Sequence, residues 1–271
     1  MVSIKEDEFE EFSKYIKSVY GINFRKEKKT LIEGRLGQVL LNMNFDSLTA
    51  YLEYVKADKT GQAASIMLDK ITTNHTFFMR EPAHFNYFRD VALPYLTQTV
   101  KDHDLRIWSA ACSSGEEPYT LAMIIDEYFG SNKSRWDTKI LATDISRGVL
   151  AAAESGVYSE EKISGLPERW KKNYFEKQSD GYYIISEKIR NEVIFRSINL
   201  MDEKFPFRKR MHVIFCRNVM IYFDSNTKDR LAERLYDITE PGGFLFIGHS
   251  ESLNREKTRF RYITPAVYRR E

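Results

Sequence analysis

The residues best able to do chemistry fall in four short strings. Cys112-Ser113-Ser114-Gly115-Glu116-Glu117-Pro118, then Asp144, then Asn199-Leu200, then Arg217-Asn218 each follow a β-forming run, so each would close a strand at its carboxyl end. Ligands of open α/β sheets bind at that edge. A carboxylate there, such as Asp144, can accept from two ribose hydroxyls, as in nicotinamide and S-adenosylmethionine sites; it can equally cap the next helix. The turn after the first strand separates the two cofactors. A GxGxxG turn would cradle a pyrophosphate, whereas one glycine followed by Glu116 and Glu117 would repel it and suits a ligand carrying ammonium and sulfonium groups. Ser114 to Glu117 also has the spacing of a capping box, which would only satisfy the helix start.

Other reactive types carry less. Cys112 and Cys216 lack the CxxC spacing of a zinc site and read as small buried packing residues. The five histidines show no ligand pair, so no metal is expected. His249-Ser250-Glu251 imitates a nucleophilic triad, but neighbouring residues point different ways, which leaves loop polarity. Arg208-Lys209-Arg210, without interleaved aromatics, reads as a solvated bend.

The elements that must position these strings divide the chain in two. Phe9, Phe12, Tyr15, Ile16 and Val19, then Leu31, Ile32, Leu36, Val39 and Leu40, then Leu48, Tyr51, Leu52 and Val55 recur at helical spacing, with breaks at Gly21 to Asn23 and Asn42 to Asp46. A small helical domain over 1–73 is expected. Beyond it, 74–271 alternates short β-rich runs with helical ones, which predicts a Rossmann-like, mostly parallel sheet. The strands read as 106–111, 139–143, 193–198, 212–216 and 244–248, with a hairpin around Pro265 on the sheet edge. Residues 173–190, with Ser179-Asp180-Gly181, break the alternation and read as an antiparallel excursion.

Composition narrows the function. The 271 residues are 42% hydrophobic and 30% charged, a globular balance, and no apolar run is long enough to span a bilayer. The acidic start MVSIKEDEFEEF lacks the pattern of a secretory signal, so a cytoplasmic protein is expected. A net charge of +2 argues against a chain that coats nucleic acid or membranes. Locally, Arg25, Lys26, Lys28, Lys29 and Arg35 face only Glu27 and Glu33, an excess of three positive charges over 23–39.

Five strings together resemble the chemotaxis receptor methyltransferase (CheR) family: ITTNHTFFMRE at 71–81, RIWSAACSSGEEPY at 106–119, ATDIS at 142–146, FCRNVMIYF at 215–223 and GHSES at 248–252. The resemblance implies a class I S-adenosylmethionine-dependent methyltransferase fold with a helical N-terminal domain, a linker over 74–88, and a β-subdomain inserted at about 173–190. It implies methyl transfer to side-chain carboxylates of glutamates on the cytoplasmic helices of chemoreceptors. Carried over by position, Asn74, Thr76 and Arg80 would fold over the cofactor, with Arg80 pairing with a carboxylate. Glu117 would hold the methionine end and Asp144 the ribose; Asn199, Leu200, Arg217 and Asn218 would line the rest, and Tyr222 would sit near the transferred methyl.

Two expectations concern the receptor. Some family members grip a receptor-tail peptide with a longer, glycine-richer loop, whereas Glu176 to Gly181 is compact, so no tail tether is expected. Arg25, Lys28, Lys29 and Arg35 are spaced to form one basic helical stripe for a glutamate-rich receptor helix, with Leu31 and Leu36 facing elsewhere. A nucleic-acid methyltransferase of the same fold is the alternative enzyme, disfavoured by the charge balance; a receptor-binding scaffold without turnover is the alternative outside enzymes.

Overall fold

The computed structural model describes residues 4–271. Four helices, α1 (Glu6–Tyr20), α2 (Lys29–Asn42), α3 (Leu48–Ala57) and α4 (Gln62–Ile71), enclose a core of Phe12, Ile16, Ile32, Leu36, Leu40, Tyr51 and Met67. These are the helically spaced apolar residues, and burying one face of each short helix against the others is what stabilises it. The chain then runs through a linker into α5 (Pro82–Tyr87) and α6 (Leu93–Thr99) before the sheet begins.

The main sheet has seven strands. β1 (Ile107–Ala110) pairs in parallel with β2 (Ile140–Asp144) on one side and with β7 (Met211–Cys216) on the other; β6 (Val193–Ser197) lies outside β2 and β8 (Thr239–Phe246) outside β7. A terminal hairpin of β9 (Arg261–Thr264) and β10 (Val267–Arg269) completes the order β6-β2-β1-β7-β8-β10-β9, with β10 antiparallel to β8. The order reverses between β1 and β7, so the crevice for a ligand opens at their carboxyl ends. Both faces of the sheet are covered. β7 is therefore buried throughout, with Val213 and Phe215 in the core beneath α7 (Glu116–Phe129) and Ile214 and Cys216 in the core beneath α12 (Ser225–Asp237).

β8 starts at Thr239, ahead of the expected 244, because Pro241-Gly242-Gly243 stays in the sheet as a register irregularity. A Cβ at Gly243 would lie 2.8 Å from the carbonyls of Glu240 and His212. The antiparallel excursion is a three-stranded sheet, β3 (Val157–Ser159), β5 (Tyr182–Ile185) and β4 (Phe175–Lys177) in that order, so its first strand precedes 173–190. Between β3 and β4 come α9 (Glu160–Ile163) and α10 (Glu168–Tyr174); α11 (Glu187–Arg190) follows β5, and α8 (Arg147–Ser155) precedes β3.

The helical domain is fastened over the carboxyl edge of the main sheet. Asn23 N–H donates to the Tyr222 carbonyl at 2.8 Å, Asn199 Nδ2 to the Val19 carbonyl at 2.8 Å, and Ser146 Oγ to Asp69 at 2.5 Å. Gly21 ends α1 at φ 75°, and a Cβ there would stand 2.5 Å from Met201 Sδ, so this close approach needs glycine twice over. No helix among the described residues is long and apolar enough to cross a membrane.

Candidate active site

Beneath the helical domain lies a cavity of about 680 Å³, floored by the strand ends and roofed by the linker and the turn between α1 and α2. Asn74, Thr76, Arg80, Glu117, Asp144, Asn199, Leu200, Arg217, Asn218 and Tyr222 all line it, as do Arg25, Lys28 and Arg35; Lys29 does not. Five of the eight non-glycine residues with positive φ among those described, Met79, Glu81, Ala111, Ser113 and Asn218, sit in the turns around it. Backbone held in that region costs energy and persists where the surroundings over-determine it.

On the floor each charge is fixed by a partner. Asp144 is buried and accepts the N–H groups of Ser113 (2.9 Å) and Ser146 (3.0 Å); burial pushes its carboxyl up while these bonds pull it back. It is not the cap of α8, a role taken by Ser146, whose Oγ accepts from Val149 N–H. Glu117 accepts from Ser109 Oγ at 2.7 Å and from Arg217 at 2.8 Å. The Arg217 side chain, 2% exposed, stands between Glu117 and Glu81 (3.0 Å), donates to the Arg80 carbonyl, and lies over the Phe85 ring. Its Nε has no partner.

The capping-box reading of the first turn does not hold. Gly115, at φ 93°, caps α7, and Ser114 Oγ donates to the side chain of Glu116, which is fully buried and paired with Lys162 at 2.5 Å. A Cβ at position 115 would meet Ala153 at 2.9 Å. Cys112 and Cys216 are buried, and burial pushes both thiols well up, as packing residues require.

Several placements differ from expectation. Arg25 precedes α2, separated from it by the 3₁₀ turn Lys26–Lys28, so the four cations do not share one helical stripe. Lys29 turns to Glu6 (3.5 Å), and Arg35 donates to the carbonyls of Ile71 (2.7 Å) and Thr72 (3.1 Å), satisfying the end of α4. Leu31 shares the cavity face with Lys28 and Arg35 instead of facing away; Leu36 is in the core. Arg80 has no carboxylate partner among the described residues: it donates to the His75 carbonyl at 2.6 Å and lies over Phe77.

Two acidic residues gain a part that sequence reading did not assign. Glu81, next to Arg80, accepts from Asn218 Nδ2 (3.1 Å), Arg217 (3.0 Å) and His249 N–H (3.1 Å), tying the linker to the ends of β7 and β8. Burial raises its carboxyl, but Asn218 and Arg217 together bring it below the ordinary value. Glu251 is more than loop polarity: buried, it accepts the N–H groups of Gly248 (2.6 Å), Asn218 (2.9 Å) and Ile221 (3.1 Å) and so shapes the loop that carries Tyr222. The signal for both was present in the strings FMRE and GHSES, each of which carries one acidic residue.

The donor set suits S-adenosylmethionine. Glu117 can accept from an ammonium group and Asp144 from ribose hydroxyls.

Comparison with known proteins identifies the family. Residues 74–268 match the family described as CheR methyltransferase, SAM binding domain, and residues 7–72 match CheR methyltransferase, all-alpha domain. The chain is 42% identical over 273 residues to a chemotaxis protein methyltransferase of Borreliella burgdorferi, covering 99% of this chain and 96% of the relative. It is 31% identical to the chemotaxis protein methyltransferase of Escherichia coli, covering 98% and 92%. Among solved structures, the glycopeptide N-methyltransferase MtfA complexed with S-adenosylmethionine overlaps 65% of this chain and 58% of its own, at 15% identity and a TM-score of 0.33. The chain belongs to the CheR methyltransferase family and is an S-adenosylmethionine-dependent methyltransferase.

Proposed function

We propose that this CheR-family methyltransferase esterifies side-chain carboxylates of specific glutamates on the cytoplasmic helices of chemoreceptors, acting in the cytoplasm and leaving S-adenosylhomocysteine. The observation that carries this is the pairing of a cofactor-type floor with a roof that brings Arg25, Lys28 and Arg80 to the same cavity.

The bound cofactor supplies a methyl group on a sulfonium, already activated for transfer. A glutamate side chain, with an ordinary pKa near 4.3, is ionised at neutral pH and attacks without a general base. The chain's task is then positioning and exclusion of water, which can contribute on the order of several kcal/mol. Glu117 and Asp144 would hold the two ends of the cofactor, with Asn74, Thr76, Asn199, Leu200 and Asn218 around it. Arg80, free of any carboxylate of the chain, orients the target carboxylate through its remaining N–H groups. Tyr222, on the turn that Glu251 shapes, would stand near the transferred methyl. Arg25 and Lys28 attract the glutamate-rich helix to the mouth.

The compact loop between β4 and β5 makes a receptor-tail tether unnecessary. Radiolabelled methyl transfer tests these points together, with receptor fragment, tail-truncated fragment and RNA offered side by side. The expected result is base-labile label on both fragments at similar rates and none on RNA. Label on RNA alone would overturn the substrate class, and loss with the truncated fragment would overturn the tail reading.

A further inference from the structure

Glu81, His84 and His249 are brought together although the two histidines are far apart in sequence, and one ligand atom from each lies within 4.8 Å of the others. His84 is 1% exposed, and neither ring nitrogen has a hydrogen-bond partner. A native structure seldom leaves such a group unsatisfied without a use for it.

The spacing is that of ligands on an ion. His84 Nδ1 stands 3.4 Å from Glu81 Oε2 without forming a hydrogen bond. Two atoms each about 2.0–2.1 Å from a tetrahedral zinc ion are separated by about 3.3 Å. The His249 ring meets that of His84 edge-on, centroids 4.4 Å apart, and is exposed, so it can turn inward and an ion can arrive from solvent. Two carboxylates, Glu81 and Glu117, share the single guanidinium of Arg217, an excess of negative charge that a cation would offset.

We propose that Glu81, His84 and His249 form a binding site for one divalent transition-metal ion of the zinc or cobalt type, and that its occupation slows methyl transfer by drawing Glu81 away from Arg217 and Asn218. Two imidazoles and one carboxylate select such ions over magnesium or calcium, and three protein ligands leave one position for water. The expectation of no metal site rested on spacing along the chain; the fold supplies the proximity that spacing lacks.

The site itself is tested without reference to activity. Cobalt(II) titrated into the tag-free full chain is expected to give the visible absorption of a low-coordinate complex, saturating at one equivalent and displaced by zinc. His249→Ala, an exposed position, and Glu81→Gln should each weaken binding at least about tenfold. Absence of the absorption, or equal affinity in the native chain and both variants, would overturn the site. The effect on turnover rests on the proposed reaction: zinc should lower the native rate severalfold and leave His249→Ala at its own metal-free rate. Equal inhibition of the two would overturn the coupling, whereas no transfer by the metal-free native chain would count against the reaction and leave the cobalt result standing.

Discussion

On the floor of the cavity Arg217 is 2% exposed and gripped by two carboxylates, while on the roof Arg25 and Lys28 are exposed and have no ion partner among the described residues. The two regions face one ligand space and use charge differently. A buried cation whose partners are built in serves shape: it holds Glu81, Glu117 and the Arg80 carbonyl in one arrangement, and removing it strands charges in low dielectric. An exposed cation without a partner contributes little to the fold and is free to meet a charge from outside. On the proposed function the floor serves a small molecule of fixed geometry, and the roof a partner that arrives and leaves.

Removing the central cation should have the largest effect on stability. Arg217→Met leaves Glu81 and Glu117 unpaired, and breaking a buried pair in this way costs about 3–5 kcal/mol. Lys28→Met, with the same change in charge, should stay within about 0.5 kcal/mol. Urea denaturation midpoints measure both, and indistinguishable midpoints would erase the contrast.

The cofactor comes next in size. At about 100 times its Kd, S-adenosylhomocysteine should stabilise the native chain by about 2.7 kcal/mol, read as a rise in melting temperature. Asp144→Ala should lose most of that rise at the same concentration, and Arg25→Glu with Lys28→Glu should keep it. A full rise in Asp144→Ala would remove that residue from the cofactor site.

The floor was legible in the sequence and much of the roof was not, for a physical reason. Strand ends are marked locally: Asp144, Asn199 and Arg217 each follow a run whose β-forming residues can be read without knowing the neighbours. The roof depends on where α2 begins. A stripe of four cations assumed a helix through Arg25, but α2 starts at Lys29, which rotates Lys29 to Glu6 and leaves Lys28 over the cavity. Arg35 has the right spacing and a different duty, because the open carbonyls at the end of α4 lie within its reach. β3 was missed since three residues carry no period, and the grouping of His84 with His249 since only the packing of α5 against the loop after β8 creates it.

That rotation makes the last test a sharp one. Lys28 and Lys29 are adjacent, alike in chemistry, and differ in direction: one lines the cavity, the other is 3.5 Å from Glu6. A general effect of net charge would treat them alike, because a long-range field changes little over one residue. Direct contact with an acidic helix at the cavity mouth would not, since Lys28 lines that cavity while Lys29 is turned toward Glu6. Lys28→Glu should lower the rate of receptor methylation severalfold at low salt, flatten its salt dependence and leave the melting temperature nearly unchanged. Lys29→Glu should lower the rate much less and cost a little stability through repulsion with Glu6. If the two variants methylate receptor equally across a salt series, the roof acts only through its overall charge, and the division of labour between floor and roof loses its upper half.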